Sequence, residues 1–399
     1  MKWLNENSRK FLANGYLEEG VSPEQRIREI ADNAEKILGI KGYADKFYDY
    51  MSKGYYSLSS PVWANFGNKR GLPISCYSID IQDTMGDIMR ATGEIGMMSK
   101  LGGGTGGFFG KLRERGAEIT GNGESSGSVH FMKLFESLMD VASQGKVRRG
   151  AFSPYLPVEH PDIEEFLEIG TEGNPIQTLT HAVTVTDKWM EEMVAGDTKK
   201  RKIWAKVLQR RVEMGYPYIF FKDTVNRNTV DVYKDKGLEI NHSNLCSEIA
   251  LPTNNEWSFV CCLSSINIFY YDEWKDTDAV ETLVYFLDAV MEEFIVKLEA
   301  MRDSDEEELR ITFKFMEKAY NFAKANRSLG TGILGWHSYL QSKMIPFESV
   351  EASHLNVKIF KNIHDKAYKA SKELAEMFGE PEILKGYGRR NATLLAPAP

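Results

Sequence analysis

A thiol stands between an amide and a carboxylate in the stretch Asn244–Glu248, which reads Asn-Leu-Cys-Ser-Glu. The sulfur of Cys246 could give or take a hydrogen atom, and the Glu248 carboxylate could accept a proton from a hydroxyl group. The amide of Asn244 could hold neighbouring hydroxyls in place. Alternatively, Cys246 is a small buried apolar residue, as most cysteines are, and the pentapeptide alone leaves both interpretations open.

Three further cysteines complete the set of four in the 399 residues. Cys76 and Cys261 each begin a short alternating run of β-branched or aromatic residues, which predicts that both cysteines open strands. A cysteine at the start of a strand is well placed to face a central site. Cys262 directly follows Cys261, so at most one of this pair can easily face a given site.

The elements that must position these residues begin with a helical region over residues 1–55. Ser22–Gln25 is a capping box with proline at the first helical position, and apolar residues then recur at helical spacing. Gly39 follows as the predicted C-terminal stop of that helix.

Strand-like and helix-like segments alternate from Tyr56 onward. Residues 182–186 predict a strand, and residues 187–194 predict the helix after it. A second capping box at residues 278–281 opens a helix whose apolar positions continue to Leu298. Such alternation predicts β-α units and a largely parallel sheet.

A glycine run, Gly102–Gly107, contains the spacing G-x-G-x-x-G. A dinucleotide-binding fingerprint needs a strand before the run and a helix after it, whereas the preceding Ile88–Met98 looks helical. The phosphate-loop pattern also fails, because Thr105 occupies the position of its first glycine. We therefore predict a turn at which the backbone approaches a ligand closely.

Composition excludes several classes of protein. The net charge of −8 argues against a nucleic-acid-binding surface, and no apolar run is long enough to span a bilayer. Four cysteines without zinc-like spacing indicate a reducing, cytoplasmic environment. The seven histidines show no metal-ligand pattern, so no metal is expected in this chain.

Taken together, the cysteine segments resemble the catalytic large subunit of an aerobic, class I-like ribonucleotide reductase, in a short, phage-type form without the N-terminal ATP cone. Five further segments match the family in the expected order: Ser59–Val62, Ser143–Ala151, His160–Glu164, Arg327–Gly332 and Arg390–Leu394. The resemblance implies a ten-stranded α/β barrel of two half-barrels with a central finger loop. It divides the chain into a helical domain, residues 1–55, and a catalytic barrel, residues 56–399.

The resemblance also implies a role for each residue of the cysteine segments. Cys246 would form a thiyl radical that abstracts the ribose 3′ hydrogen. Glu248 would take the 3′-hydroxyl proton while Asn244 holds the ribose hydroxyls. Cys76 and Cys261 would supply two electrons and end as a disulfide, which an external dithiol such as thioredoxin or glutaredoxin must reduce. This pattern leaves Cys262 as a packing residue.

Substrate and effector contacts follow from the same resemblance. The substrate-binding candidates are Ser60, Ser75, Gly104 and Arg148, and the effector-binding candidates are Asp83, Met85 and Arg113. Arg148 lies in a basic loop between glycines, which without the resemblance reads as a solvated loop. Asp83 and Arg113 could equally be surface charges. His160 is expected to have a structural role.

The implied partners are a ribonucleoside di- or triphosphate, a dNTP or ATP specificity effector and a second copy of the chain. The radical would come from a metal-containing β subunit, and this chain would bind no cofactor itself. An adenosylcobalamin-dependent reductase and a non-catalytic nucleotide-binding fragment are the alternatives. Residues 394–399 read as a barrel strand entering a loop, so we expect the last strands to be missing and a complementary C-terminal fragment to supply them. No nucleic-acid or membrane partner is expected.

Overall fold

The computed structural model describes residues 1–142 and 149–397. Its helices are α1 (Glu6–Ala13), α2 (Pro23–Leu38), α3 (Tyr43–Lys53), α4 (Ser60–Asn65), α5 (Met85–Lys100), α6 (Ser128–Val141), α7 (Ile163–Phe166), α8 (Asp187–Ala195), α9 (Thr198–Met214), α10 (Lys222–Asn228), α11 (Asp231–Asp235), α12 (Tyr271–Trp274), α13 (Ala279–Arg302), α14 (Glu307–Asn326), α15 (Trp336–Ser342) and α16 (Val350–Phe378). Its strands are β1 (Tyr56–Leu58), β2 (Cys76–Asp80), β3 (Gly104–Phe108), β4 (Glu118–Ile119), β5 (Gly123–Glu124), β6 (Phe152–Pro157), β7 (Ala182–Val185), β8 (Tyr218–Phe221), β9 (Phe259–Asn267) and β10 (Leu329–Leu334). Short 3₁₀ helices cover Ile268–Tyr270 and Glu382–Leu384.

The chain divides into two compact units. The first contains residues 1–75, 261–303 and 323–397, and the second contains residues 76–260 and 304–322. We call them the helical unit and the sheet unit. Among the described residues, no helix is long and apolar enough to cross a membrane.

The sheet unit is built on five parallel strands in the order β2-β3-β6-β7-β8. Helices connect successive strands, which is the arrangement that the alternating sequence pattern predicts. The expected strand at residues 182–186 is β7, and the expected helix after it is α8. Because the strands are parallel, their carboxyl ends share one edge of this sheet.

The helical unit is dominated by α2, α3, α13 and α16, which pack on one another. The predicted N-cap and C-terminal stop are confirmed, since Ser22 accepts a hydrogen bond from the Gln25 amide and α2 ends at a left-handed Gly39. The Gln25 side chain donates to Glu29, so only the N-cap half of the predicted capping box is seen in the described residues. In the core of this unit, Phe47 stacks on Phe286 with 4.4 Å between ring centroids. Strand β9 pairs antiparallel with β1 and parallel with β10.

Two sequence predictions about termini need correction. Asp278 precedes α13, but its side chain caps no helical amide, because it accepts hydrogen bonds from Tyr50 and Lys46 instead. Its ψ of 26° is also far from the extended backbone that an N-cap uses. Cys76 does open β2, whereas Cys261 is the third residue of β9, because Phe259 and Val260 already have strand geometry.

Candidate active site

The stretch Asn244–Glu248 forms a tight loop in the sheet unit, and we call it the finger loop. It lies between α11 and β9 and has neither helical nor strand geometry. The Ser247 amide donates to the Asn244 carbonyl at 3.2 Å, and Ser247 has a positive φ of 64°. This turn displays Cys246 at its tip, where the thiol residue is exposed while the other three cysteines are buried.

Asn244 organises the loop with one end of its amide. The Oδ1 atom accepts from the backbone amides of Glu248 and Ile249, each at 3.2 Å. The residue is fully buried, and its Nδ2 has no hydrogen-bond partner among the described residues. A buried amide nitrogen without a partner is costly unless a ligand supplies an acceptor. The free end of Asn244 is therefore suited to bind a hydroxyl.

Glu248 brings a carboxyl group against the first cysteine. The Cys76 thiol donates to the Glu248 Oε1 at 3.9 Å, and the second carboxyl oxygen is buried without a partner among the described residues. Burial raises the pKa of Glu248, although the nearby polar side chains of Asn244 and Cys76 act in the opposite direction. A carboxyl group with a raised pKa is a suitable proton acceptor for general acid–base chemistry.

The glycine run lies next to the finger loop. Its first residue, Gly102, has the predicted turn geometry with a φ of 103°, whereas Gly104–Gly107 form strand β3 and not a turn. Gly104 pairs with Cys76 as the first residue of β3. A Cβ atom on Gly104 would lie 2.6 Å from Leu245, and one on Gly106 would lie 2.3 Å from the Ser243 carbonyl. Both separations are shorter than real contacts, so the missing side chains make room for the loop. A close approach thus exists toward the Leu245 side chain and the Ser243 carbonyl, and the approach to a ligand stays a prediction.

Cys261 and Cys262 belong to the helical unit, where their side chains face opposite ways along β9. Cys262 is fully buried, its thiol contacts the Leu287 carbonyl of α13 at 3.6 Å, and burial raises its pKa well above the usual value. Cys261 faces away from α13. On the neighbouring strand, a Cβ on Gly330 would lie 3.2 Å from the Cys261 sulfur.

The two serine candidates also lie in the helical unit. Ser60 is the first residue of α4, and its hydroxyl donates to the Tyr16 hydroxyl at 3.4 Å. Ser75 precedes β2 and is buried. Arg148, the remaining substrate-binding candidate, lies outside the described residues.

The effector-binding candidates meet at the carboxyl edge of the sheet, beyond β2 and β3. The Arg113 guanidinium forms an ion pair with Asp83 at 2.6 Å and also donates to the Glu118 carbonyl. The two charged side chains are about one-third exposed, at 38% and 33%. Met85 is exposed at the start of α5.

His160 has the contacts of a structural residue. Its Nε2 bonds to the Leu112 carbonyl at 2.9 Å, and its Nδ1 accepts from the Asp162 amide at 3.1 Å. Within residues 1–142 and 149–397, no group of three or more histidine, cysteine or acidic side chains could hold a metal ion.

Two residues that hold the finger loop were not found by sequence reasoning. Tyr155 of β6 donates its hydroxyl to the Asn244 carbonyl at 2.6 Å, and Ser78 of β2 donates to the Ser243 carbonyl at 2.9 Å. The available signal was the tyrosine within the buried run Phe152–Pro157, because a buried phenol usually has a hydrogen-bond partner.

Comparison with known families agrees with this arrangement. The profile of the ribonucleotide reductase all-alpha domain matches residues 2–71. The profile of the ribonucleotide reductase barrel domain matches residues 74–200 and 193–393. The chain therefore belongs to the ribonucleotide reductase large-subunit family, and the expected mixed α/β barrel class is confirmed.

Three relatives indicate where in this family the similarity is strong. The Actinobacillus ureae class Id ribonucleotide reductase alpha subunit has a TM-score of 0.93 and 54% identity, over 100% of this chain and 73% of that chain. A Frog virus 3 (isolate Goorha) protein with the provisional name ribonucleoside-diphosphate reductase large subunit is 38% identical over 92% of this chain. A vitamin B12-dependent ribonucleoside-diphosphate reductase of Thermoplasma acidophilum is 29% identical over 97% of this chain. The chain spans 65% of the viral protein and 51% of the archaeal one.

Proposed function

We propose that this chain is the catalytic large subunit of a class I ribonucleotide reductase, which converts ribonucleotides to 2′-deoxyribonucleotides. The observation that carries the proposal is the cluster of Cys76, Asn244, Cys246 and Glu248, in which an exposed thiol lies between a free amide nitrogen and a partly buried carboxyl. We call these four residues the thiol cluster. A non-catalytic nucleotide-binding protein has no use for all four.

In the proposed reaction, a thiyl radical on Cys246 takes the ribose 3′ hydrogen, forming an S–H bond and leaving a carbon radical. The step is reversible, because the S–H bond is nearly as strong as the C–H bond that breaks. Glu248 accepts the 3′-hydroxyl proton, and the Asn244 amide nitrogen donates to a ribose hydroxyl. The adjacent radical then allows the protonated 2′-hydroxyl to leave as water.

Cys76 and Cys261 supply the electrons that the reduction of the ribonucleotide needs. Their two thiols together supply two electrons and two protons and end as a disulfide. Glu248 returns its proton to the 3′ oxygen, and Cys246 returns the 3′ hydrogen and becomes a thiyl again. Each turnover therefore consumes one dithiol and forms one water, and an external dithiol of the thioredoxin or glutaredoxin type must reduce the disulfide. The buried Cys262, turned toward α13, takes no part.

The strength of the resemblances supports the choice of radical source. Identity is 54% to the class Id alpha subunit but 29% to the vitamin B12-dependent reductase of Thermoplasma. This difference supports a metal-containing β subunit, which would supply the oxidising equivalent that makes the Cys246 radical. Adenosylcobalamin is the alternative source.

A nucleotide effector and a second copy of the chain complete the proposal. Asp83 and Arg113 offer a charged pair at the edge of the sheet for a deoxynucleoside triphosphate. The packed helices α5 and α6 expose Met85, Met89, Leu134 and Val141. Exposed apolar side chains on neighbouring helices suit an interface between two copies. Four cysteines without zinc-like spacing fit a reducing, cytoplasmic location.

The deciding experiment supplies the expected complementary C-terminal fragment and measures deoxyribonucleotide formation with a metal-containing β subunit in one arm and adenosylcobalamin in the other. We expect turnover in the first arm and its loss in Cys246→Ser by more than about a thousandfold, or about 4 kcal/mol, because an O–H bond is too strong for the hydrogen relay. Cys262→Ala should retain turnover. Nucleotide binding without turnover in either arm would show a non-catalytic protein.

A single-turnover reaction without reductant tests the roles of the other cysteines. We expect one disulfide, between Cys76 and Cys261, with Cys262 recovered as a free thiol after denaturation and alkylation. Peptide mapping reads the pairing directly. Consumption of Cys262 in place of Cys261 would contradict the assignment.

A further inference from the structure

The finger loop has no regular secondary structure of its own, so its position depends on what fixes it to the sheet. Two buried hydroxyls do this within the sheet unit. Tyr155 donates to the Asn244 carbonyl at 2.6 Å and Ser78 donates to the Ser243 carbonyl at 2.9 Å. Both residues are fully buried and lie on strands, which are the most rigid elements available.

The bond from Tyr155 is placed where the loop turns. The Asn244 carbonyl also accepts the Ser247 amide at 3.2 Å, so one donor from inside the turn and one donor from β6 meet on the same oxygen. The side chain of the same asparagine accepts the Glu248 and Ile249 amides. A shift of Asn244 would therefore move the chain that leads into Cys246 and also the Glu248 carboxyl that follows it.

The Tyr155 ring cannot easily follow such a shift. It meets Phe220 edge-on at 6.4 Å and lies against His242 at 5.7 Å between centroids. Burial raises the pKa of Tyr155 well above its usual value, although hydrogen bonds with Ser247 and Ser243 oppose this, so the phenol remains a donor at working pH. Burial lowers the pKa of His242 to about 3, so its ring stays neutral beside the tyrosine.

We infer that Tyr155 is a positioning residue for the Cys246 radical, acting through its hydroxyl bond to the Asn244 carbonyl. The inference rests on the proposed function, since it assigns Cys246 the hydrogen-abstracting role. Hydrogen abstraction requires the sulfur at a fixed distance from the ribose carbon, and a displacement of about 1 Å can cost a hundredfold in rate. The hydroxyl of Tyr155 holds the loop at that distance, and Ser78 supports it from β2.

The test compares Tyr155→Phe with the wild-type protein and its radical source. The substitution removes one oxygen and keeps the ring packed between Phe220 and His242. We expect kcat to fall about ten- to a hundredfold and KM to rise by less, because Asn244 shifts together with the thiol while the other substrate contacts remain. Tyr233→Phe, at a fully buried tyrosine of α11 in the same unit, is the matched control and should keep the wild-type kcat.

Amide hydrogen exchange provides a readout that does not depend on turnover. The Glu248 and Ile249 amides are bonded to Asn244, so their exchange should become at least about tenfold faster in Tyr155→Phe and stay unchanged in Tyr233→Phe. If Tyr155→Phe does not fold, Ser78→Ala removes the second hydroxyl and should also accelerate exchange in residues 244–249.

Each outcome separates the inference from the function on which it rests. A Tyr155→Phe protein with wild-type kcat and exchange would overturn the positioning role. Lost turnover with unchanged exchange would overturn it as well, because the hydroxyl would then act in some way other than through the loop. If the wild-type protein forms no deoxyribonucleotide with either radical source, the proposed function fails, and with it the link from loop position to radical chemistry.

Discussion

Two clusters of buried polar side chains in this protein differ in how completely their hydrogen bonds are made. In the helical unit, Asp288 of α13 is fully buried and accepts from three donors, the guanidinium groups of Arg327 and Arg390 and the amide of Asn391, at 2.9 to 3.0 Å. We call these four residues the ion cluster. Burial raises the pKa of Asp288, but the two guanidinium groups outweigh burial and hold the pKa below its usual range.

In the thiol cluster of the sheet unit, by comparison, some buried polar atoms have no hydrogen-bond partner. The Asn244 Nδ2 and one Glu248 oxygen are buried without partners among the described residues, and burial raises the pKa of Glu248. Buried polar groups whose hydrogen bonds are all made stabilise one arrangement of the chain. Buried polar groups that lack a hydrogen-bond partner are retained where a ligand supplies that partner. The difference favours a structural role for the ion cluster and supports the proposed chemical role of the thiol cluster.

Substitution in the ion cluster should have the larger effect on folding. Asp288→Ala leaves the guanidinium groups of Arg327 and Arg390 with only the partly exposed Glu292 carboxylate. We therefore expect a loss of about 3 kcal/mol, the lower end of the cost of removing one partner from a buried ion pair. Urea unfolding of the Asp288→Ala protein should show that loss.

The matched control is Asp303→Ala, at an exposed carboxylate paired with Arg302 just beyond the end of α13, and its unfolding midpoint should not change. The stabilisation from Asp288 is present above the pKa of the unfolded chain and is lost as pH falls through the depressed folded pKa. Equal unfolding curves for Asp288→Ala and wild type would remove the distinction between the two clusters.

Substitution in the thiol cluster should affect turnover and not folding. Glu248→Gln removes the proton acceptor, and we expect kcat to fall about a hundredfold, at the lower end of what a general base contributes. In the wild type, kcat should rise with pH through the raised pKa of Glu248, and this acid limb should disappear in the glutamine variant.

The stability effect of Glu248→Gln has the opposite sign to that of Asp288→Ala. A carboxyl whose folded pKa is raised contributes stability below its unfolded pKa and loses it as pH rises through the folded pKa. At neutral pH the neutral glutamine should therefore fold at least as stably as the wild type. Thermal unfolding checks this, and a clear destabilisation would mean that Glu248 has an unrecognised structural partner.

The same contrast explains what the sequence could predict. Local signals predicted the Ser22 cap, the Gly39 stop and strand β7, since neighbouring residues determine them. Three residues of the thiol cluster were predicted through the motif Asn244–Glu248, which is short and contiguous, whereas Cys76 was connected with them only through the family resemblance. The anchor on Asn244 was not predicted, because Tyr155 lies 89 residues earlier and only the sheet brings them together.

Asp288 was missed for a related reason. The predicted helix through Leu298 was defined by its apolar face, and a single carboxylate within that stretch has no local partner that would reveal its role. Arg327 and Arg390 were both recognised as parts of family segments, but their shared contact depends on α13 and on two distant loops. Long-range pairing of charges is the part that sequence patterns do not encode locally.

The ion pair of Asp83 with Arg113 belongs to neither the ion cluster nor the thiol cluster. Its substitution has the smallest expected effect. Its side chains are about one-third exposed, so the ion pair should contribute less than about 1 kcal/mol to folding. As an effector contact, however, the Arg113 guanidinium would bind a triphosphate, and Arg113→Ala should weaken deoxynucleoside triphosphate binding about tenfold.

Arg115→Ala is the matched control. Arg115 lies two residues after Arg113, forms an ion pair with Glu165 and is similarly exposed. Calorimetric titration of both variants, with sedimentation to follow pairing of two chains, distinguishes the roles: equal affinities would place Asp83 and Arg113 among ordinary surface charges.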